Sequence, residues 1–276
     1  MTSMGLDMKS MVKRASLIGD GVVPPPAGVT ILIYHRVGGG SASDVDLPAE
    51  VFDAQLAHLA EHARVVDLDT AVAELTDRRH HDEPLRPTVV ITFDDGTDDF
   101  VDVAVPALVR HDLPATLYVA TQYIDEQTEF PWGARPTSWA ALRDAVSTGL
   151  ITIGSHTHSH WLLDRLDPAE VAADLDRSVE LIGEHLSLKA QHFAYPKAMP
   201  GSVHAEAAVR QRFRSASLAA SRVNRRGRTD LHRLWRTPVQ CSDRLEHFQA
   251  KARGGMRLEG ELRALVARAK YRGLRR

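Results

Sequence analysis

Two short runs of residues in this chain could do chemistry. Thr92-Phe93-Asp94-Asp95-Gly96 sets two adjacent carboxylates at the end of an apolar run. Gly154-Ser155-His156-Thr157-His158-Ser159-His160 sets three imidazoles among small hydroxyl residues. Adjacent carboxylates repel each other unless a cation or a shared proton compensates them. One can bind metal while its neighbour acts as a base, the division of labour that metal-assisted hydrolysis needs. Neutral imidazoles spaced closely on a short loop can converge on one ion.

Each run also has a plainer reading. An acidic turn can cap the helix that follows it, and Asp98 and Asp99 are expected to do so. A histidine loop can simply be solvated. Spacing alone decides nothing: with 14 histidines in the chain, chance gives about 0.7 pairs at i,i+4. The sequence has two such pairs, His58/His62 and His156/His160. His58 and His62 fall off the Phe52/Leu56/Leu59 stripe and read as a solvated helix surface. The other pair follows a short β-type run, about 60 residues after Asp-Asp-Gly, and that order makes both signals stronger.

The elements that must hold these runs alternate. Val29 to Tyr34 (VTILIY) is apolar throughout, as a strand buried on both faces would be. Helical spacing over Pro48 to Ala63, a short strand at Val65 to Leu68 and a helix over Thr70 to Arg78 follow it. Thr88 to Phe93 (TVVITF) leads into the Asp pair, and Gly96 allows a sharp turn there. A helix over Asp98 to Arg110, broken or kinked at Pro106, precedes the buried strand Ala115 to Ala120. Helices over Ser138 to Val146, Pro168 to Leu186 and His204 to Arg212 flank a short strand at His192 to Tyr195. Strands alternating with helices argue for an α/β fold with a parallel sheet. No GxGxxG or GxxxxGK[ST] loop suggests a nucleotide site.

Bulk properties narrow the class. With 276 residues, 43% hydrophobic and 25% charged, the chain has the composition of a globular protein of barrel size. A net charge of -2 gives no reason to expect nucleic acid as a partner. The single cysteine, Cys241, cannot make an internal disulfide. No run approaches the roughly 18 apolar residues needed to span a bilayer, so integral membrane insertion is not expected. Met1 to Ala15 carries Lys9, Lys13 and Arg14 with no apolar core after them and does not read as a signal peptide. The expected location is cytoplasmic or peripheral to the membrane.

Three segments are expected: an N-terminal segment with a Pro-rich linker over 1–28, a catalytic domain over 29–248, and a basic amphipathic helix over 249–276. From Lys251 onward there are nine Lys/Arg and two Glu, with Leu258, Leu262, Leu265, Val266 and Ala269 on one helical face. The plainer reading is an outer helix packed on the domain by that face, its basic face solvated. Peripheral contact with anionic lipid or an acidic glycan is the alternative.

TFDDG (Thr92 to Gly96) and GSHTHSH (Gly154 to His160) resemble the first two motifs of the polysaccharide deacetylases, carbohydrate esterase family four. Phe193-Ala194-Tyr195-Pro196 resembles the third, and ATLYVA resembles the strand after the first. The resemblance covers roughly Val29 to Phe248. It implies a single-domain, distorted (β/α) barrel and a metal-dependent hydrolase that removes N-acetyl groups from amino sugars. It further implies Asp94 as general base and Asp95, His156 and His160 as metal ligands. His158 would be a bystander, and the backbone N–H of Tyr195 would help hold the oxyanion. Zn²⁺ suits two histidines and a carboxylate, with Co²⁺, Ni²⁺ or Mn²⁺ as other first-row choices.

The opening Tyr34-His35-Arg36-Val37 resembles the poly-N-acetylglucosamine deacetylases, whose motif order is circularly permuted so that the general acid comes first. That places the acid at His35 in preference to His232 in Leu231-His232-Arg233. The third motif departs from the family, which begins it with Arg and continues Pro-Tyr-Gly. Here Ala194 precedes Tyr195, and Lys197-Ala198-Met199 follows Pro196. The residue that orients the base is then absent or supplied from elsewhere, with Arg233 and Arg236 the candidates. Trp132, Trp139 and Trp161 are either sugar-stacking platforms or packing residues. Two other functions stay open: deacylation of a non-glycan amide or imide, and non-catalytic glycan binding on the same fold.

Overall fold

The computed structural model describes residues 3–77 and 86–271, so Arg78, the last residue of the expected second helix, lies outside the described part. Among the described residues there are ten strands. Seven of them run parallel and close on one another: β1 (Val29–Tyr34), β5 (Thr88–Phe93), β6 (Ala115–Val119), β7 (Ile151–Ser155), β8 (His192–Ala194), β9 (Ser215–Ala219) and β10 (Leu234–Pro238). Pairing of β1 with both β10 and β5 closes the ring, so no barrel edge is left open. β4 (Arg64–Val65) adds to the start of β5 from outside, and β2 (Arg36–Val37) pairs with β3 (Asp46–Leu47) above β1. The fold is the expected α/β barrel.

Ten α-helices accompany them among the described residues. α2 (Ala49–His62), α3 (Leu68–Thr76), α4 (Val105–His111), α5 (Thr121–Glu126), α6 (Trp139–Ser147), α7 (Pro168–Leu186) and α8 (Val203–Arg212) follow the strands in turn. α1 (Ser3–Val22), α9 (Leu245–Ala252) and α10 (Arg257–Tyr271) come from the two ends of the chain and pack together. The expected helix over Asp98 to Arg110 is interrupted ahead of Pro106. A π turn spans Phe100–Ala104, and α4 begins with the proline in its first turn, where no ladder hydrogen bond is lost.

Strand alternation sorts the side chains. Leu32 and Tyr34 of β1, Ile91 and Phe93 of β5, Leu117 and Val119 of β6, and Phe193 of β8 belong to the large apolar core beneath the helices. The residues between them line the barrel: Ile31, Val90, Tyr118, Ala194 and Leu234 form a second cluster. Towards the C-terminal ends of the strands this lining turns polar, with Thr92, Ser217 and Arg236 fully buried. Continuing each inward phase by one or two residues reaches His35 (from Ile31 and Ile33), Asp94 (from Val90 and Thr92) and His156 (from Gly154). The period of two is therefore what gathers these side chains at one mouth of the barrel.

The segment before the Pro-rich stretch folds as a 20-residue helix. One expectation about the other chain end is corrected. The single C-terminal helix is two helices, because the chain turns at Gly254 (φ 82°) and Met256 (φ 61°) between α9 and α10. The apolar stripe of α10 does not face the domain: Leu258, Leu262, Leu265 and Val266 are all exposed.

Candidate active site

The site is built from strand ends. Behind β1 and β5, Tyr34 stacks on Phe93 with ring centroids 5.3 Å apart, and Phe93 meets Phe100 edge-on at 4.9 Å. Tyr34 Oη donates to Gln55 Oε1 at 3.0 Å, which ties β1 to α2. Immediately beyond this packed cluster the two strands end in His35 and Asp94. Asp94 N–H still donates to Tyr34 O at 3.1 Å, so the ladder runs up to the site itself. Asp95 then takes a left-handed conformation (φ 79°) and Gly96 another (φ 94°). A non-glycine residue held at positive φ is strained by about 1–3 kcal/mol, and such strain gathers at functional sites. The reversal turns Asp95 toward the histidine loop, and its carbonyl accepts from Ala120 N–H at 3.0 Å.

The histidine loop is clamped from α7. Asp174 accepts from the backbone N–H of His158 at 2.7 Å, from that of Ser159 at 3.1 Å, and from Ser159 Oγ at 2.5 Å. Thr157 (φ 70°) and His160 (φ 60°) are both left-handed. The result points His156 and His160 inward and His158 away, its Nδ1 lying 3.0 Å from Thr121 Oγ1. His58 and His62 stack on each other on α2, 4.4 Å apart, far along the chain and outside this cluster.

Asp95, His156 and His160 are buried together, with one ligand atom from each inside a 4.8 Å sphere of mutual distances. Asp95 Oδ1 lies 3.6 Å from His156 Nε2 and 3.3 Å from His160 Nε2. Ligand atoms around a tetrahedral ion at about 2.1 Å are separated by roughly 3.4 Å, so the spacing suits a first-row divalent cation. The tautomer suits it too: His156 Nδ1 is 2.7 Å from Ala194 O, so it carries the proton and leaves Nε2 with a free lone pair. Three protein ligands leave further coordination positions open, the pattern of catalytic rather than structural sites. Burial pushes the His156 imidazolium down to about 4, which keeps the ring neutral and able to ligate. For Asp95, burial alone would raise the pKa, but its hydrogen bond to His160 and the neighbouring imidazoles hold it well below the usual carboxylate range.

Asp94 has a different partner. Arg236 Nη1 donates to Asp94 Oδ1 at 2.6 Å and Nη2 to Oδ2 at 2.8 Å, a two-pronged grip inside the barrel. The guanidinium also donates to Thr92 Oγ1 at 3.1 Å and lies 5.0 Å above the Tyr118 ring. Gly154 makes room for that ring, since a Cβ there would stand 2.6 Å from it. Burial would raise the Asp94 pKa, yet the charge and hydrogen bonds of Arg236, together with the nearby imidazoles of His156 and His35, outweigh it and hold the carboxyl below its usual range. Of the two candidate arginines, Arg236 is the one in contact with Asp94, whereas Arg233 is engaged with Glu206 at 2.6 Å.

The two late or early histidines separate cleanly. His35 stands close enough to the carboxylate pair for its charge to lower both of them. Its Nδ1 is buried with no hydrogen-bond partner. His232 precedes β10, at the opposite end of that strand from the mouth, and its Nε2 lies 2.8 Å from Phe213 O.

Tyr195 is a correction. Its backbone N–H donates to Ser217 O at 3.1 Å as part of the barrel ladder and is not free for a substrate oxygen. Its side chain is buried as well. Pro196 has no N–H, and those of Ala198 and Met199 turn back to Tyr195 O and Pro196 O. The amide left over is that of Lys197, a left-handed residue (φ 53°) on the exposed rim. Partial burial and the Lys270 charge lower the Lys197 ammonium, against the pull of Asp95. Asp99 is a second correction. It makes no cap hydrogen bond; it accepts from Val37 N–H at 2.7 Å and faces Arg36, which steadies the chain just after His35.

The tryptophans divide. Trp132 is 45% exposed and meets His160 edge-on at 5.6 Å, at the end of a stacked row formed with Phe130 and Tyr123. Trp139 is packing: it is buried and stacks on His185. Trp161 is partly exposed beside the histidine loop.

A parallel barrel thus carries an Asp-His-His cluster beside a second, arginine-held Asp at its mouth, and comparison with known proteins finds the same fold. The family model for polysaccharide deacetylase matches residues 81–216. IcaB from Ammonifex degensii has a similar structure, with TM-score 0.71, 26% identity, and coverage of 83% of this chain and 98% of that one. The Streptococcus pyogenes deacetylase PplD, solved in complex with acetate, shares the fold at TM-score 0.71 and 20% identity, over 82% of this chain and 99% of that one. YxkH of Bacillus subtilis (strain 168) is 26% identical over 172 residues, or 62% of this chain; the match spans 57% of that relative's length. The chain is thus similar to the polysaccharide deacetylases, in sequence over residues 81–216 and in fold over most of its length. His35 and Arg236 both lie outside the stretch that the family model matches.

Proposed function

We propose that the protein is a metal-dependent hydrolase that removes N-acetyl groups from amino sugars of an oligo- or polysaccharide and releases acetate. The observation that carries this reading is the adjacency of two unlike carboxylates: Asp95 turned to His156 and His160, and Asp94 held ionised by Arg236. The match to the polysaccharide deacetylase model and the likeness to IcaB support it.

Asp95, His156 and His160 would hold the cation, for which Zn²⁺ fits the donor set and Co²⁺, Ni²⁺ and Mn²⁺ remain compatible. When bound, such an ion polarises the acetyl carbonyl and acidifies a water toward a pKa of about 7. Asp94 takes the proton from the attacking water, and Arg236 keeps that carboxylate unprotonated and aimed. The new C–O bond forms as the amide C–N bond breaks. His35 delivers a proton to the departing nitrogen, without which an amine leaves poorly. The Lys197 N–H replaces that of Tyr195 as the backbone donor for the oxyanion, a contribution of about 3 kcal/mol when well placed. Trp132 offers a flat face beside the cation site on which a sugar ring can stack.

The test is acetate release from N-acetylglucosamine oligomers and polymers with added zinc or cobalt, against a chelator control. Chelator-sensitive release is expected. No release from folded, metal-loaded protein on any glycan would overturn the reading in favour of a non-glycan amide or a glycan-binding role.

A further inference from the structure

α1 and α10 are turned inside out. The buried face of α1 is polar: Lys13 pairs with Asp243 and, at 3.1 Å, with Glu259 of α10. Lys251 of α9 joins the same carboxylates at 2.7 and 3.3 Å. Ser16 Oγ accepts from Glu259 N–H at 2.7 Å, and Asp20 faces Arg257 at the other end of the contact. With charges satisfied inward, the apolar residues are left outside. On α1 these are Met11, Ala15, Ile18 and Val22; on α10 they are Leu258, Leu262, Leu265 and Ala269, with Val266 beside them. Both sets recur at alternating steps of four and three, so each forms one continuous stripe. The large residues among them are between 40% and 78% exposed.

Two adjoining helices that both present an apolar stripe to solvent call for a partner. Charge says which. Residues 251–276 hold nine Lys/Arg and two Asp/Glu, a net of +7; taking these from the chain totals of 34 and 36 leaves 25 and 34, a net of -9, for the rest. In the sequence this positive charge falls on and around the apolar stripe of α10, and among the described residues Arg14 is exposed on α1 and Lys270 on α10. A second copy docked through this face would bring like charges together. An anionic bilayer surface complements both properties at once.

We propose that the α1–α10 face docks on the surface of an anionic lipid bilayer. The contact is peripheral, since no helix among the described residues is long and apolar enough to cross a membrane. The docked face borders the barrel mouth: Tyr271 O accepts from Arg165 Nη2 at 3.3 Å just past the histidine loop, and the Lys270 charge reaches Lys197.

The full chain is sedimented with phosphatidylcholine vesicles, with and without phosphatidylglycerol, at low and high salt. Strong partition onto the anionic vesicles is expected, at least tenfold weaker on neutral ones and weakened by salt. Ile18→Glu and Leu265→Glu, both at exposed positions, should each cut partition about tenfold without moving the thermal midpoint or acetate release from a soluble oligosaccharide. Arg263→Glu serves as a charge variant that leaves both stripes intact and should also weaken binding. Equal partition onto neutral vesicles, no partition at all, or partition unchanged in these variants would overturn the proposal. So would a concentration-dependent dimer, abolished by Ile18→Glu, in protein that ignores vesicles.

Discussion

Arg236 grips both oxygens of Asp94 from within the barrel, at 2.6 and 2.8 Å, although 142 positions separate the two residues in the chain. A bidentate guanidinium–carboxylate pair with no solvent exposure on the arginine fixes the ionisation and the direction of the carboxylate together. Breaking it by Arg236→Met leaves an unpaired buried carboxylate, at an expected cost of about 3–5 kcal/mol. Arg236→Lys keeps the charge but loses the fork. In that variant the Asp94 pKa rises, so the acid limb of the kcat/KM profile should move to higher pH. A limb that stays in place would show that Asp94 is not the titrating base.

Asp94→Asn should lower kcat by about 10²–10⁴-fold, the usual worth of a general base. Its metal content should not change, because Asp94 is not among the clustered ligand atoms. Metal analysis alongside acetate release checks both halves. Retained turnover would remove Asp94 from the mechanism.

His156→Ala should abolish metal binding. The metal-free wild type should also lose stability as pH falls from about 6.5 to about 4, because His156 is neutral when folded but protonated when unfolded across that interval. The unfolded chain binds the extra proton there, so stability rises with pH. Thermal midpoints of metal-stripped protein and of His156→Ala, compared over that interval, test this. Identical slopes would contradict a neutral buried ring.

His35 and His232 make a paired control. His35→Ala should cost turnover on a poor amine leaving group far more than on an activated acetyl ester that needs no proton. His232→Ala should leave both unchanged, since its ring is tied to Phe213 O away from the mouth. Equal losses on amide and ester would argue that His35 acts by some means other than proton donation.

Trp132→Ala should raise KM for oligosaccharides by roughly two- to tenfold with kcat little altered, the worth of one stacking contact. Trp139→Ala, by contrast, should appear as lost stability, since Trp139 is buried in the packing of α6. Steady-state kinetics on a series of chain lengths would show whether one sugar unit accounts for the Trp132 effect.

The amino-acid order determined much of this protein directly. Apolar runs of six residues at β1 and β5 declare themselves as buried strands, and the Asp pair sits where one of them must end. The HxxxH spacing with small hydroxyl neighbours marks a loop that can close on an ion. Local chemistry therefore exposes a site whose residues are near in sequence or carried by strong strands. Arg236 was legible only as one of two candidates, because β9 (SASLA) and β10 (LWRTP) lack an apolar run and are strands by virtue of closing the barrel. Once β10 is known, the phase from Leu234 to Arg236 points the arginine inward.

Tertiary structure alone decided three further matters. It committed the Tyr195 amide to Ser217 and left that of Lys197 free, a choice made by the register between β8 and β9. It drew Asp99 away from a helix cap to Val37 and Arg36. It also turned the apolar stripes of α1 and α10 outward. Periodicity reveals that a helix has an apolar face, but which face meets the protein depends on what the neighbours offer. Here Asp243 and Glu259 offered Lys13 and Lys251 a buried ionic contact, and the apolar side was left for something other than this chain.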